Sequence, residues 1–224
     1  MVKLIVPISG TVTQKVPADE VMPRNGPVIS QVIEFITSRY GFIYHPSVPE
    51  PGQILTFHQG SFSHQGETFG VQQIALPPNG DVVSAASTDQ AELVLDDLRS
   101  ALETFLGFRY STATYQQRRY YSSLVVEFSQ PLEKHLLKIG KICSLLSGEM
   151  RWRSEPFNLK MISFGQGNVA AQPFTDVNLP DHMDFSLQRR NDQPYDSNRY
   201  FSSMPTSTDH HLTLLEKLEA LILA

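Results

Sequence analysis

Seven histidines, a single cysteine and a run of cations beside aromatic rings are the residues of this 224-residue chain with the widest chemical reach. His58 and His64 flank Gln-Gly-Ser-Phe-Ser, His210 and His211 adjoin, and Asp181-His182-Met183-Asp184 sets two carboxylates around one imidazole. Neighbouring residues on a helix point about 100° apart, so one ion would not take both His210 and His211, and no other pair has zinc spacing. Loop or capping histidines and no metal are the expectation. Cys143 shares an apolar helical stripe with Leu136, Ile139 and Leu146, where burial would raise the thiol pKa and leave it an inert core residue. No Gly-x-Ser-x-Gly elbow occurs, and Gly165-Gln166-Gly167 leads into strand-like sequence, which makes it a hairpin turn and not a phosphate cradle. The paired carboxylates Asp96 and Asp97, and Asp181 and Asp184, have no partner that sequence can name. No catalytic residue, metal ligand or cofactor is therefore assigned. An enzyme with a site drawn from His58, His64, His182 or Asp184 is the third-ranked reading.

The sharpest pattern is the basic, aromatic stretch from 118 to 153. Arg118-Arg119-Tyr120-Tyr121 precedes a strand-like run, Lys134, Lys138 and Lys141 recur at helical spacing, and Arg151-Trp152-Arg153 follows. Cations beside aromatic faces can neutralise phosphates and stack bases, or meet an acidic protein surface. These ten residues are the candidate contacts for nucleic acid or a partner. The competing account is a solvated helix face beside a tryptophan anchor.

These side chains need elements to hold them. Residues 1–27 combine the β-favouring pieces Leu4-Ile5-Val6 and Thr11-Val12-Thr13 with Pro7, Gly10, Pro17, Pro23 and Pro27, which predicts an extended proline-rich arm of edge-strand character. Residues 28–224 are expected to form one α+β domain. Ile29, Val32, Ile33, Ile36 and Tyr40 predict a helix ended by Gly41; Val94, Leu95, Leu98, Leu102 and Phe105 predict one over 89–106 with Ser87, Thr88 and Asp89 as cap candidates. Two more helices are expected, one from Pro131 to Gly148 and one from Asp209 to Leu223. Strands are expected at 54–62, 68–76, 82–84, 120–128, 159–164, 169–174, 183–189 and 199–202. The fold class is α+β: antiparallel hairpins forming a sheet covered on one face by about four amphipathic helices. Ser87-Thr88-Asp89 with Leu95 and Leu98 recurs 120 positions later as Ser207-Thr208-Asp209 with Leu215 and Leu218, so 68–107 and 183–224 form a candidate pseudo-repeat of two hairpin-helix halves.

Composition bounds the function. The net charge is -5 and the pI about 5.8, which excludes an extensive basic coat. That charge is uneven: residues 1–112 hold 6 Lys+Arg against 11 Asp+Glu, whereas residues 113–160 hold 8 against 4. No long apolar run or leader pattern occurs, so a soluble cytoplasmic protein without membrane contact is expected. The leading expectation is a non-catalytic interaction or assembly protein, acting as a homo-oligomer or with a protein partner. Nucleic-acid binding through 118–153 is the alternative.

Overall fold

A computed structural model describes residues 1–16, 21–22, 28–46, 54–78, 80–110, 118–132, 136–149, 160–164, 184–190, 192–193 and 197–223. The elements are β1 (Lys3–Lys15), α1 (Ile29–Tyr40), β2 (Leu55–His64), β3 (Glu67–Leu76), β4 (Gly80–Ala85), α2 (Thr88–Leu106), β5 (Arg118–Glu127), α3 (Leu137–Glu149), β6 (Met161–Phe164), β7 (Phe185–Arg189), β8 (Arg199–Met204) and α4 (Thr208–Leu223). One antiparallel sheet takes all eight strands in the order β2-β3-β4-β1-β5-β8-β7-β6. With four helices, the fold is α+β. The element order β-α-β-β-β-α occurs twice along the chain, and the sheet order reads the same in each half when counted outward from the β1/β5 seam.

The N-terminal segment corrects the expected arm. Strand β1 is not at an edge; it pairs with β4 from Gly10 to Lys15 and with β5 from Lys3 to Gln14, at the centre of the sheet. Register shifts between Leu4 and Val6 and between Pro7 and Ser9 flank Pro7, which has no N–H to give the ladder. The predicted strands at 54–62, 68–76 and 82–84 appear as β2, β3 and β4. The expected partner strand at 169–174 lies outside the described residues, and β6 pairs with β7.

Three helices cover one face. Val32, Ile33, Ile36 and Tyr40 of α1 pack with Val94, Leu95, Leu98 and Leu102 of α2 over Val12, Phe57, Ile74 and Val83. Gly41, in the left-handed region at φ 61°, ends α1, a conformation most side chains resist. Arg39 and Tyr40 of α1 both donate to Asp97 of α2, Arg39 through Nε at 2.8 Å and Nη2 at 2.6 Å, Tyr40 through its hydroxyl at 2.7 Å. Burial pushes the Asp97 carboxyl up, but these hydrogen bonds outweigh it and hold it below the usual range. In the second half, Leu215 of α4 packs on Leu124, Val126, Leu187 and Tyr200. Helix α3 supplies no residue to either core among the described residues, so three of the four expected packed helices are shown there. Cys143 on α3 is only half-buried, against the expectation of a core thiol, and Ile142 and Leu145 beside it are 55% and 63% exposed.

The 120-residue echo sits where the halves meet. Ser87 Oγ accepts from Gln90 N at 3.3 Å and caps α2, and Ser207 Oγ accepts from His210 N at 3.4 Å at the start of α4. Thr88 N donates to Thr208 Oγ1 at 3.1 Å, and Thr208 N donates to Thr88 Oγ1 at 2.9 Å. Each threonine thus satisfies an otherwise unpaired amide of the other's first turn. This reciprocal pair stands over Gly10, where an added Cβ would fall 2.0 Å from Thr88 N. The repeated element order begins at β1 and at β5, ahead of the segments 68–107 and 183–224.

Candidate functional site

Residues directly opposite in an antiparallel ladder share a face, and neighbours along a strand alternate. Tyr120, Ser122, Leu124 and Val126 of β5 point to the helices, so Arg119, Tyr121, Ser123, Val125 and Glu127 point to the other face. The register carries that face across the sheet. Ser186, Ser203, Ser123 and Ser9 form a row over β7, β8, β5 and β1, and Gln188, Phe201, Val125 and Val6 form the row beside it. Thr11 and Ser84 share a 2.9 Å hydroxyl hydrogen bond, as do Ser123 and Ser203 at 3.3 Å. The guanidinium of Arg190 lies 4.9 Å from the Phe201 ring centre and pairs with Asp192.

Among the described strand residues of this face, cations outnumber carboxylates. Its described strand residues include Lys3, Lys15, Arg119 and Arg199 against the one carboxylate Glu127, which accepts from Arg199 Nε at 2.9 Å. Lys3, Lys15 and Arg119 are exposed, as are Val6 at 44% and Phe201 at 37%. Tyr121 and the serine row are half-buried, whereas Thr13, Val82 and Val125 of the same face are buried. Hydroxyls, two rings and cations on a rigid sheet can hydrogen-bond, stack and attract anions. Nothing in the set is a nucleophile with a base.

The strand alternation divides the expected basic strip. Arg118 and Tyr120 turn inward, where Arg118 donates to Glu92 at 3.0 Å, to Gln14 at 3.2 Å and to Asp96, and Tyr120 donates to Glu92 at 2.6 Å. Burial and the Glu92 hydrogen bond push the Tyr120 hydroxyl up to about 12. Glu92 is taken up by these two. Arg119 and Tyr121 lie on the opposite face, and Lys141 is exposed on α3, where Lys138 also sits. Lys134, Arg151, Trp152 and Arg153 lie outside the described residues. Lys3, Lys15, Arg199, Phe201 and the serine row do not stand out in the sequence. Period-two spacing is the signal that could have found them: by itself it sets Arg118 and Arg119 on opposite faces of a strand.

The described histidines do not converge. Gln59, at φ 58°, interrupts the alternation of β2, so His58 falls on the face with Arg119 while His64 falls on the helix face and stacks on Phe62 with centroids 6.2 Å apart. His182 lies outside the described residues. No group of three or more metal-binding side chains occurs among the described residues. His210 is exposed and His211 is fully buried, so His211 is not the loop or capping residue expected of it. Ser122 Oγ lies 2.7 Å from His211 Nδ1, and Ser202 Oγ lies 2.8 Å from Nε2. Because Ser202 donates its one proton to Ser186 O at 3.2 Å, Nε2 carries the ring proton and Nδ1 accepts from Ser122. This trio resembles nucleophile chemistry by residue type, yet its burial makes it a brace between α4, β5 and β8.

Burial holds the His211 imidazole down at about 4, against an ordinary 6.5. The unfolded chain takes up that proton first, so stability is complete above about 6.5 and falls as pH drops towards 4. At about 1.4 kcal/mol per pKa unit the loss is about 3 kcal/mol. Urea titrations between pH 7 and 4 should show it, and His211→Gln should flatten this window. An unchanged slope in the variant would assign the acid lability elsewhere.

No protein-family model matches the chain, and no curated protein does. Function is read from this geometry alone.

Proposed function

We propose that this chain is a non-catalytic interaction and assembly protein that docks an acidic protein surface on the sheet face opposite its helices. The carrying observation is that charge is sorted by face. Helices α1, α2 and α4 hold nine carboxylates against three cations, with Arg118 pairing Glu92 and Asp96 and the terminal amine pairing Glu219 from the sheet side, while the described strand residues of the opposite face hold four cations against one carboxylate. A chain of net charge -5 thus offers a locally positive surface, with Val6 and Phe201 as apolar contacts inside it. An apolar centre with polar surroundings is the common composition of protein interfaces, and complementary charge raises on-rate and specificity. Nucleic acid calls for a denser track of cations and more stacking rings. Arg118 and Tyr120 are withdrawn from that role by Glu92.

We also infer that the two halves are copies of one β-α-β-β-β-α unit, which the reciprocal Thr88 and Thr208 bonds 120 residues apart support. A cytoplasmic setting fits the single cysteine. No helix among the described residues is long and apolar enough to cross a membrane.

Fluorescence anisotropy with labelled poly-L-glutamate in dilute buffer tests the docking face. The wild type should bind, more weakly as salt rises, and Lys15→Glu with Arg119→Glu should lower affinity about tenfold or more, ~1.4 kcal/mol. Tighter binding of labelled oligo(dT) than of polyglutamate at equal salt would replace the reading with nucleic-acid binding. No binding of either would remove it.

A further inference from the structure

The face just assigned has an occupant of matching chemistry in the molecule itself. Resting on that docking reading, we infer that the partner is a second copy of this chain, which sets its acidic helix layer on the basic sheet face of the first. Glu34 on α1 and Asp209 and Glu216 on α4 are exposed, while Lys15 and Arg119 are exposed on the sheet face. Apolar positions also occur on both sides: Phe105 of α2 and Leu221 of α4 are among the exposed large hydrophobic residues, as are Val6 and Phe201. Like faces repel, so two sheets or two helix layers do not pair in dilute salt. Opposite faces attract, and the contact is heterologous: each copy keeps one face of each sign free, so growth continues until a ring closes or a filament forms. Internal pseudo-symmetry does not close it, because its axis relates the halves within one copy and leaves helices on one face and cations on the other.

Sedimentation velocity on the full chain reads this directly. In dilute buffer the wild type should give a concentration-dependent series of species, and in about 1 M salt, where the Debye length is about 3 Å, it should return to monomer. Lys15→Glu with Arg119→Glu removes one face, and Glu34→Lys with Glu216→Lys removes the other. Each double variant should be monomeric alone. Mixed in equal amounts they should associate again, because the acidic helix layer of one meets the basic sheet face of the other and the two reversed faces are themselves complementary. Circular dichroism matching the wild type in both variants makes their monomeric state a property of the surface and not of misfolding. A wild type that is monomeric at all salts overturns the second copy as partner; the docking face itself then stands if polyglutamate still binds and falls with it if polyglutamate does not. A mixture that stays monomeric, or a single variant that still assembles, overturns the heterologous geometry.

Discussion

Replacing Arg99 with leucine should lower the unfolding free energy by about 3–5 kcal/mol. Arg99, on α2, and Asp81, on β4, are both buried; Arg99 donates to Asp81 Oδ2 through Nε at 3.2 Å and Nη2 at 2.9 Å, and its guanidinium lies 4.8 Å from the Tyr110 ring centre. Leucine keeps the helix and fills much of the volume. What it removes is the positive charge opposite the Asp81 carboxylate, which is then left buried without it. The loss is the cost of an isolated buried charge, not the net contribution of the pair. Two checks follow by urea denaturation. Arg99→Leu with Asp81→Leu should recover much of the deficit, since the double variant buries no charge. Burial already pushes the Asp81 carboxyl up, and without Arg99 it rises further, so the single variant should regain ground as pH falls and Asp81 takes a proton. Equal losses in the single and double variants would mean that packing around Arg99, and not its charge, is what matters.

Gly10→Val should destabilise by more than about 3 kcal/mol, at the upper end of what overpacking costs. A Cβ there meets backbone, not a side chain that could swing away: Thr88 N at 2.0 Å and Ser87 C at 2.1 Å. Giving way means lifting the capped first turn of α2 off the sheet and parting Thr88 from Thr208. Both helix starts would loosen together. Gly70→Ala is the control, because its Cβ meets nothing within 4 Å and it should change stability little. A mild Gly10→Val, with a urea midpoint near the wild type, would show that the seam between the halves yields easily.

Local elements were legible from residue types; their arrangement was not. Apolar spacing located α1, α2 and α4 to within a residue or two, and the turn at Gln65-Gly66, both at positive φ, joins β2 to β3 between the strands expected at 54–62 and 68–76. Prolines misled at β1. They argue for an edge when counted alone, yet flanking register shifts absorb Pro7 and the strand runs through the sheet centre. Pairing of β1 with β5 joins residues more than a hundred apart, which no local pattern encodes. The basic strip was read as one patch because charge was counted along the chain, whereas a strand sends successive side chains to opposite faces. Arg119 kept its place at the site for that reason, and Arg118 lost it to Glu92 and Asp96. His211 looked like a helix-start histidine because Ser122 and Ser202, its partners, come from strands 89 and 9 residues away.

The claim that the sheet face opposite the helices is the docking surface is tested most directly by lysine acylation read by mass spectrometry, with and without poly-L-glutamate, at dilution where the chain alone is monomeric. Lys3 and Lys15 lie on that face, Lys217 on α4 and Lys141 on α3, and all four are exposed. Bound polyglutamate should slow modification of Lys3 and Lys15 and leave Lys217 and Lys141 unchanged. Protection of Lys217 or Lys141 with Lys3 and Lys15 still reacting at the free rate would contradict the account.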